Sequence, residues 1–279
     1  MNSCFCCPVC GGALNRDNTS YRCDNNHCFD ISKYGTVNLL MSQASSDKRH
    51  GDDSLMVCAR QRFLDSGYYE PLARLIADTA AEYVVGGNNG IMLCDVGCGE
   101  GYYTDYVGCK LMSIGKTVAI SGIDISKQAA RYAKRRINSG EFAVASAFKL
   151  PYAGNCCDIM LNIFAPYSAA ELYRCLDDDG VVVRAFARKN HLLGLKRVIY
   201  DNVRNDDVDD ISLDGFDCVQ SRELEYEITV SGQQLISDLF KMTPYYYKSG
   251  KLSQQRLEAL DTLTTPVHFT VAAYKKRGE

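Results

Sequence analysis

The run Leu93-Cys94-Asp95-Val96-Gly97-Cys98-Gly99-Glu100-Gly101-Tyr102-Tyr103-Thr104 constrains the fold more than any other stretch of the chain. It reads as a buried strand ending in a glycine-rich turn that opens a helix. Gly97, Gly99 and Gly101 let the backbone turn tightly and let a ligand lie against it. The pattern D-x-G-x-G-x-G fits a nucleoside cofactor facing the turn and the helix N-terminus. Val118-Ala119-Ile120-Ser121-Gly122-Ile123-Asp124 is a second apolar strand ending in an acid. An acid there accepts both hydroxyls of a ribose, a device dinucleotide folds share. Asp95 and Glu100 separate the cofactors: they would repel a pyrophosphate, whereas the sulfonium and ammonium of S-adenosylmethionine favour nearby carboxylates. The loop lacks the G-K-[ST] of a phosphate-cradling lysine loop. Asp95 and Asp124, each the first acid at the end of an apolar run, stand where open α/β sheets bind ligands.

From residue 91 strands and helices alternate, which implies a parallel sheet with crossover helices. Strands are expected at 91–96, 118–123, 141–145, 157–163 and 180–186, and helices at 101–114, 127–138, 168–176 and 190–204. Cys218 to Val230 alternates like a strand, Gln233 to Met242 reads as a helix, and Val267 to Tyr274 is a last strand. Five parallel strands followed by a hairpin with an insertion predict an α/β fold of the class I S-adenosylmethionine-dependent methyltransferase type. It is Rossmann-like, with a seven-stranded, mostly parallel sheet.

Three segments follow: a zinc-binding module over 1–40, a linker and helical segment over 41–85, and the methyltransferase domain over 86–279. Ser42 to Ser54 is polar and linker-like, and a helical pattern starts at Ser54 with a break at Gly67. Gly86-Gly87-Asn88-Asn89-Gly90 leads into the sheet, and Asp206-Asp207-Val208-Asp209-Asp210 is an acidic loop. The 279 residues, 46% hydrophobic, suffice for one large and one small domain. No apolar run approaches a membrane span, and the cysteine-rich, polar N-terminus does not read as a signal peptide. The expected location is the cytoplasm. Of the 14 cysteines, Cys58, Cys94, Cys109, Cys157 and Cys175 fall in expected helices and strands and read as small buried hydrophobes in a reducing compartment.

Cys7-Pro8-Val9-Cys10 is a C-x-x-C on a turn, followed by Cys23 and, four positions on, His27. Two ligands from each of two knuckles close a tetrahedron around a structural zinc. Cys4, Cys6 and Cys28 are neighbours able to substitute, Cys28 for His27 above all. Free thiols or a redox pair are the competing reading, but no thioredoxin-like strand precedes the motif. Such a module either grips nucleic acid or holds a loop in place, and the motif alone does not choose.

Cys7-x-x-Cys10, Ser20-Tyr21-x-Cys23-x-x-x-His27-x-Phe29-Asp30 and Gly35-x-Val37-Asn38-Leu39-Leu40 resemble the start of the large-subunit rRNA guanine-N1 methyltransferases. Ala59-Arg60-x-x-Phe63-Leu64-Asp65-x-Gly67-x-Tyr69-x-Pro71-Leu72, the glycine loop, Gly122-Ile123-Asp124, Ala165-Pro166 and Met242-Thr243-Pro244 continue the likeness in the family's order. The resemblance implies methyl transfer from S-adenosylmethionine to N1 of a guanine in a 23S rRNA hairpin, with a homodimer around that hairpin. It implies zinc at Cys7, Cys10, Cys23 and His27. It places cofactor contacts at Tyr69, Gly99, Glu100 and His191, beside Asp95, Gly97, Gly101 and Asp124 from the motifs. The chain departs from the family at Asp178-Asp179-Gly180, where Pro-Gly-Gly is frequent. Its net charge of −3 leaves RNA binding to local clusters: Lys48-Arg49-His50, Arg60 with Arg62, Lys134-Arg135-Arg136, and Arg188-Lys189.

Such a transfer is an in-line displacement in which the protein supplies alignment. Guanine N1 must lose a proton, so a base or a water relay is expected; Asp52, Asp65 and His191 are candidates, each with a plain structural reading. The guanine must be flipped or unpaired. Phe164 and Tyr167 are placed to stack on it, with Tyr167 as plain core an equal reading, and Phe164-Ala165-Pro166-Tyr167 lacks the carboxamide that amino-methylating relatives carry. The Ser146-Ala147 turn should flank the adenine. Two other readings remain: a small-molecule methylase, which has no use for a zinc knuckle, and a non-enzymatic RNA-binding module, against which the intact glycine loop argues.

Overall fold

The computed structural model describes residues 4–41, 51–84, 90–203 and 211–278. The basic triplet Lys48-Arg49-His50, most of the expected linker, the run 86–89 and the acidic loop 206–210 lie outside the described residues.

The N-terminal module is an antiparallel ribbon of β1 (Asn15–Arg16), β2 (Ser20–Arg22) and β3 (Cys28–Asp30). Asp17 shapes the turn after β1, its carboxylate accepting the backbone N–H of Thr19 and of Ser20, both at 2.7 Å. The next strand, β4 (Thr36–Asn38), leaves the ribbon. Helices α1 (Ser54–Asp65) and α2 (Glu70–Glu82) follow. Asp53 caps α1 by accepting the Met56 N–H, and Gly67, at φ +86°, turns the chain between the two helices. Then come β5 (Ile91–Val96), α3 (Tyr102–Ser113), β6 (Val118–Asp124), α4 (Lys127–Arg136), β7 (Glu141–Val144), β8 (Cys157–Ile163), α5 (Ala169–Cys175), β9 (Leu176–Ala187) and α6 (Leu193–Ile199). The chain closes with β10 (Phe216–Ser231), the inserted helices α7 (Gln233–Lys241), α8 (Tyr245–Lys248) and α9 (Lys251–Glu258), and β11 (Thr262–Lys276).

The main sheet runs β10-β11-β9-β8-β5-β6-β7-β4, with β11 antiparallel to both neighbours and the other pairings parallel. It has eight strands rather than the seven expected. The eighth is β4, whose Thr36, Val37 and Asn38 pair with Phe142, Ala143 and Val144. Three residues with one buried valine carry too little alternation to announce a strand, and the partner lies more than a hundred residues away. The closing hairpin is longer than expected because β10 and β11 pair from Phe216–Lys276 to Ser231–Thr262, with one bulge between Cys218 and Gln220.

One face of the sheet packs under α1, α2, α3, α6 and α7, around Phe63, Leu72, Ile76, Leu93, Leu161, Val183 and Phe269. The other face carries Val96, Met160, Val182 and Tyr152, and there the ribbon adds Phe5, Leu14 and Tyr21. Phe5 stacks on Tyr152 with ring centroids 5.6 Å apart, and the Tyr21 hydroxyl donates to Glu141 at 2.9 Å. A module this short buries too little surface of its own to fold unaided; this one completes its core on the sheet. Cys94, Cys157 and Cys175 are buried as expected, but Cys109 is exposed and Cys58 half-buried. Cys109 sits on the outer side of α3, its thiol turned to Asp105 one turn earlier.

Candidate active site and metal centre

The C-terminal ends of β5, β6 and β8 open into a cavity of about 530 Å³, within the range of small-molecule sites. Tyr69, Asp95, Gly97, Gly99, Glu100, Asp124 and His191 line it. Gly101, expected among them, does not. At φ +85° it starts α3, and a Cβ there would stand 3.1 Å from the Ala133 Cα, so its role is close packing on α4. Gly97, at φ +80°, has the stricter demand: its Cβ would fall 2.4 Å from that of Ala165, in the loop after β8.

The loop presents three carboxylates in different states. Asp124 accepts the Gly99 N–H at 3.0 Å and the Ser126 N–H at 2.8 Å, one on each oxygen. Each oxygen keeps further acceptor capacity. Asp95 accepts the Thr104 hydroxyl on one oxygen, while its buried Oδ1 has no partner among the described residues. Burial pushes its pKa up to about 7. Glu100 is gripped on Oε2 by Arg136 at 2.7 Å, but its buried Oε1 has no partner among the described residues. Burial holds this carboxyl above its usual range, with the Arg136 charge opposing. Arg136 also reaches Asp65 at 2.7 Å. Two buried acceptor oxygens lacking donors fit a cationic ligand bearing N–H groups.

The far wall is aromatic. The His268 backbone N–H donates to Nδ1 of His191 at 3.4 Å, which assigns the proton to Nε2, 3.5 Å from the Tyr69 hydroxyl. Phe269 packs 4.6 Å from His191 and 5.1 Å from Tyr69, centroid to centroid. Burial above all, then the Lys196 and His268 charges, push His191 down to about 3, so the ring is neutral. Phe164 holds a left-handed φ of +55° at the end of β8, pinned by its N–H to Ala185 O at 3.0 Å, and its ring is 45% exposed at the mouth. Ser146 and Ala147 line the cavity at the end of β7.

Other expectations change. Tyr167 does not line this cavity; it stacks on Arg184, 4.1 Å from guanidinium to ring centre, beside a neighbouring pocket. Asp52 is paired with Arg60 and Asp65 with Arg136, and His191 is too weak a base at neutral pH. No proton acceptor emerges from those three. Arg60, Tyr103 and Tyr245 line the cavity and were not foreseen there. Tyr103 lies two residues past the glycine loop, and Tyr245 directly follows the Met242-Thr243-Pro244 motif in the hairpin insertion, so a signal stood beside each.

At the other end of the chain, Cys7, Cys10, Cys23 and His27 bring their donor atoms within 4.8 Å of one another. Cys10 Sγ lies 3.7 Å from Cys23 Sγ, and His27 Nδ1 lies 3.5 Å from Cys7 Sγ and 3.3 Å from Cys23 Sγ. A tetrahedral zinc with bonds of about 2.3 Å to sulfur sets ligand edges of about 3.8 Å, shorter to nitrogen. The spacings are the edges of such a tetrahedron. Cys28 is exposed and stands outside the cluster, as do Cys4 and Cys6.

Residues 5–48 match the zinc-ribbon family described as "RlmA, N-terminal", and residues 94–184 match the family described as "Methyltransferase domain". A Bacillus subtilis protein provisionally named a 23S rRNA (guanine-N(1)-)-methyltransferase is 30% identical over 257 residues, covering 89% of each chain. The 23S rRNA (guanine(748)-N(1))-methyltransferase of Streptomyces fradiae is 32% identical over 69% of this chain and 68% of its own. Among solved structures, YjhP from E. coli covers 72% of this chain and 92% of its own at 14% identity and a TM-score of 0.44. No helix among the described residues is long and apolar enough to cross a membrane.

Proposed function

The chain belongs to the 23S rRNA (guanine-N1)-methyltransferase family, and on that premise we propose that it transfers a methyl group from S-adenosylmethionine to N1 of a guanine in a 23S rRNA hairpin loop. The observation that carries this is a coincidence in one chain. A Cys/His tetrahedron shares its core with the sheet whose far end holds a cavity with two unpartnered carboxylate oxygens and an aromatic mouth.

S-adenosylmethionine, when bound, supplies an electrophilic methyl on a sulfonium. Asp124 accepts the ribose hydroxyls while its own bonds to Gly99 and Ser126 keep it in place. Asp95 and Glu100 offer their unpartnered oxygens to the cationic end of the cofactor. Tyr69, steadied by neutral His191, closes the aromatic wall. Cys7, Cys10, Cys23 and His27 hold zinc.

Phe164 stacks on the target base, whose Watson–Crick edge is reachable only when unpaired, as in a loop. The N1 proton passes to water, because Asp52 and Asp65 are committed to arginines and His191 is a poor base. Turnover should therefore rise with pH across the neutral range and show no falling limb from an internal acid.

The test is methyl transfer from labelled S-adenosylmethionine to 23S rRNA lacking its own modification, with the product mapped by mass spectrometry. A single N1-methylguanine in a hairpin loop is expected. Cofactor binding with no transfer to RNA would move the substrate to a small molecule.

A further inference from the structure

The second pocket, about 460 Å³, lies behind the loop that closes the cofactor cavity. Ala165 and Pro166 line both. At its base is Arg184, on β9, which is 4% exposed. Among the described residues its buried Nε and Nη1 have no hydrogen-bond partner and no carboxylate forms an ion pair with it; the Tyr274 hydroxyl is a polar neighbour of the guanidinium. A guanidinium stays charged in proteins, and a buried charge without a partner is costly enough that native structures rarely keep one. The side chain is nonetheless well fixed. Tyr167 lies over it at 4.1 Å, Phe186 at 5.5 Å and Tyr274 at 5.8 Å. Stacking covers the guanidinium faces, and the residue lines the pocket; the N–H edge is the part of a guanidinium that reads phosphate.

We propose that Arg184, stacked under Tyr167, binds a backbone phosphate of the substrate RNA next to the target guanine. This rests on the RNA reading of the active site. A nucleotide that swings its base into the cofactor cavity carries its own phosphates past the cavity's rim, and Ala165-Pro166 is the stretch of rim the two pockets share. Asp214, exposed at the second pocket's edge, opposes an anion there and sets how tightly it is held.

The test compares the wild-type full chain with Arg184→Gln and Asp214→Asn in steady-state methylation of an unmodified 23S rRNA fragment across a salt series. Cofactor affinity is measured alongside. For Arg184→Gln the KM for RNA should rise about tenfold with cofactor affinity unchanged. The slope of log(kcat/KM) against log[salt] should become shallower by about 0.7, the share of one single-strand phosphate. Asp214→Asn should lower the KM. Unchanged KM and salt slope in Arg184→Gln, with the wild type active, overturn the phosphate assignment and leave the enzyme reading standing. If Arg184→Gln does not fold, Asp214→Asn decides: an unchanged KM overturns the proposal. A wild-type chain that binds cofactor but never methylates RNA overturns both readings. Inorganic phosphate separates the remaining source. If it raises the Tm of the wild type and not of Arg184→Gln while the RNA KM is the same in both, the pocket takes the free ion, and the RNA assignment is wrong.

Discussion

The ribbon and the glycine loop are both irregular backbone that must stay still, and they are held by different means. In the ribbon the strands are two or three residues long. Order there comes from four side-chain donors around one point and from three large side chains laid on the sheet. In the loop, Gly97 and Cys98 both donate to Ile123 O at 2.9 Å, and Asp124 takes the Gly99 N–H. The loop is thus part of the sheet's own hydrogen bonding, while the ribbon depends on side chains and the metal they suit. The difference teaches that the two should be separable: the ribbon ought to fail without its metal while the loop stands.

Removing the metal is the largest test of that separation. Binding of a structural zinc is worth on the order of 10 kcal/mol in isolated modules. Chelation, or Cys23→Ser, should abolish zinc content and lower the Tm by about 10 °C or more. Cofactor affinity, read by calorimetry, should stay within about threefold. Loss of cofactor binding together with zinc would break the comparison.

Phe5→Ala probes the seam between the two regions. Emptying the stack on Tyr152 should cost about 3–5 kcal/mol in denaturant unfolding. A loss under about 1 kcal/mol would mean that the ribbon is held by its metal alone.

Asp124→Ala acts on the loop side. Losing two hydrogen bonds to a charged acceptor should weaken S-adenosylmethionine binding about 100-fold. Zinc content should be untouched, and a fall in it would tie the regions together.

The smallest effect is Asp95's. Its folded pKa, about 7, stands above the ordinary 3.8. Between these values the unfolded chain binds fewer protons than the folded one, so this group's contribution to stability falls as pH rises from about 4 to about 7 and is level above. His191 works the other way: its folded pKa of about 3 lies below 6.5, so its contribution grows with pH between the two. Asp95→Asn should remove the falling component in cofactor-free melts. It should also flatten the gain in cofactor affinity that the wild type shows as pH rises through 7, because the ionised carboxylate attracts the cation. Identical pH profiles for variant and wild type would exclude Asp95 from the cofactor's charge balance.

Much of this site is readable from spacing. C-x-x-C with a following Cys-x-x-x-His names a cluster that the fold does assemble, because four short-range positions leave little freedom in how two knuckles close. D-x-G-x-G-x-G and the acid ending β6 are likewise local, and the backbone they demand is built within a few residues of each. What spacing does not carry is pairing at a distance. Arg136 was read as part of a basic face and is instead the clamp on Glu100 and Asp65. Tyr167 was placed against the substrate base and turned to Arg184, since a residue's side of the sheet depends on how the loop after β8 bends. That bend is set by Phe164 in its left-handed conformation, which no sequence pattern announces.

By itself, then, the sequence marked the cofactor loop, the Cys/His cluster and the alternation of strands and helices along the chain, all products of local periodicity and short spacing. The tertiary structure alone decided that β4 joins the main sheet, that Tyr21 reaches Glu141 across 120 residues and Tyr69 reaches His191 across 122, and that Arg184 is buried with Nε and Nη1 unpaired among the described residues. Contacts between distant residues arise from how packed faces meet, and many side chains satisfy the same local pattern while one packing arrangement sets their neighbours.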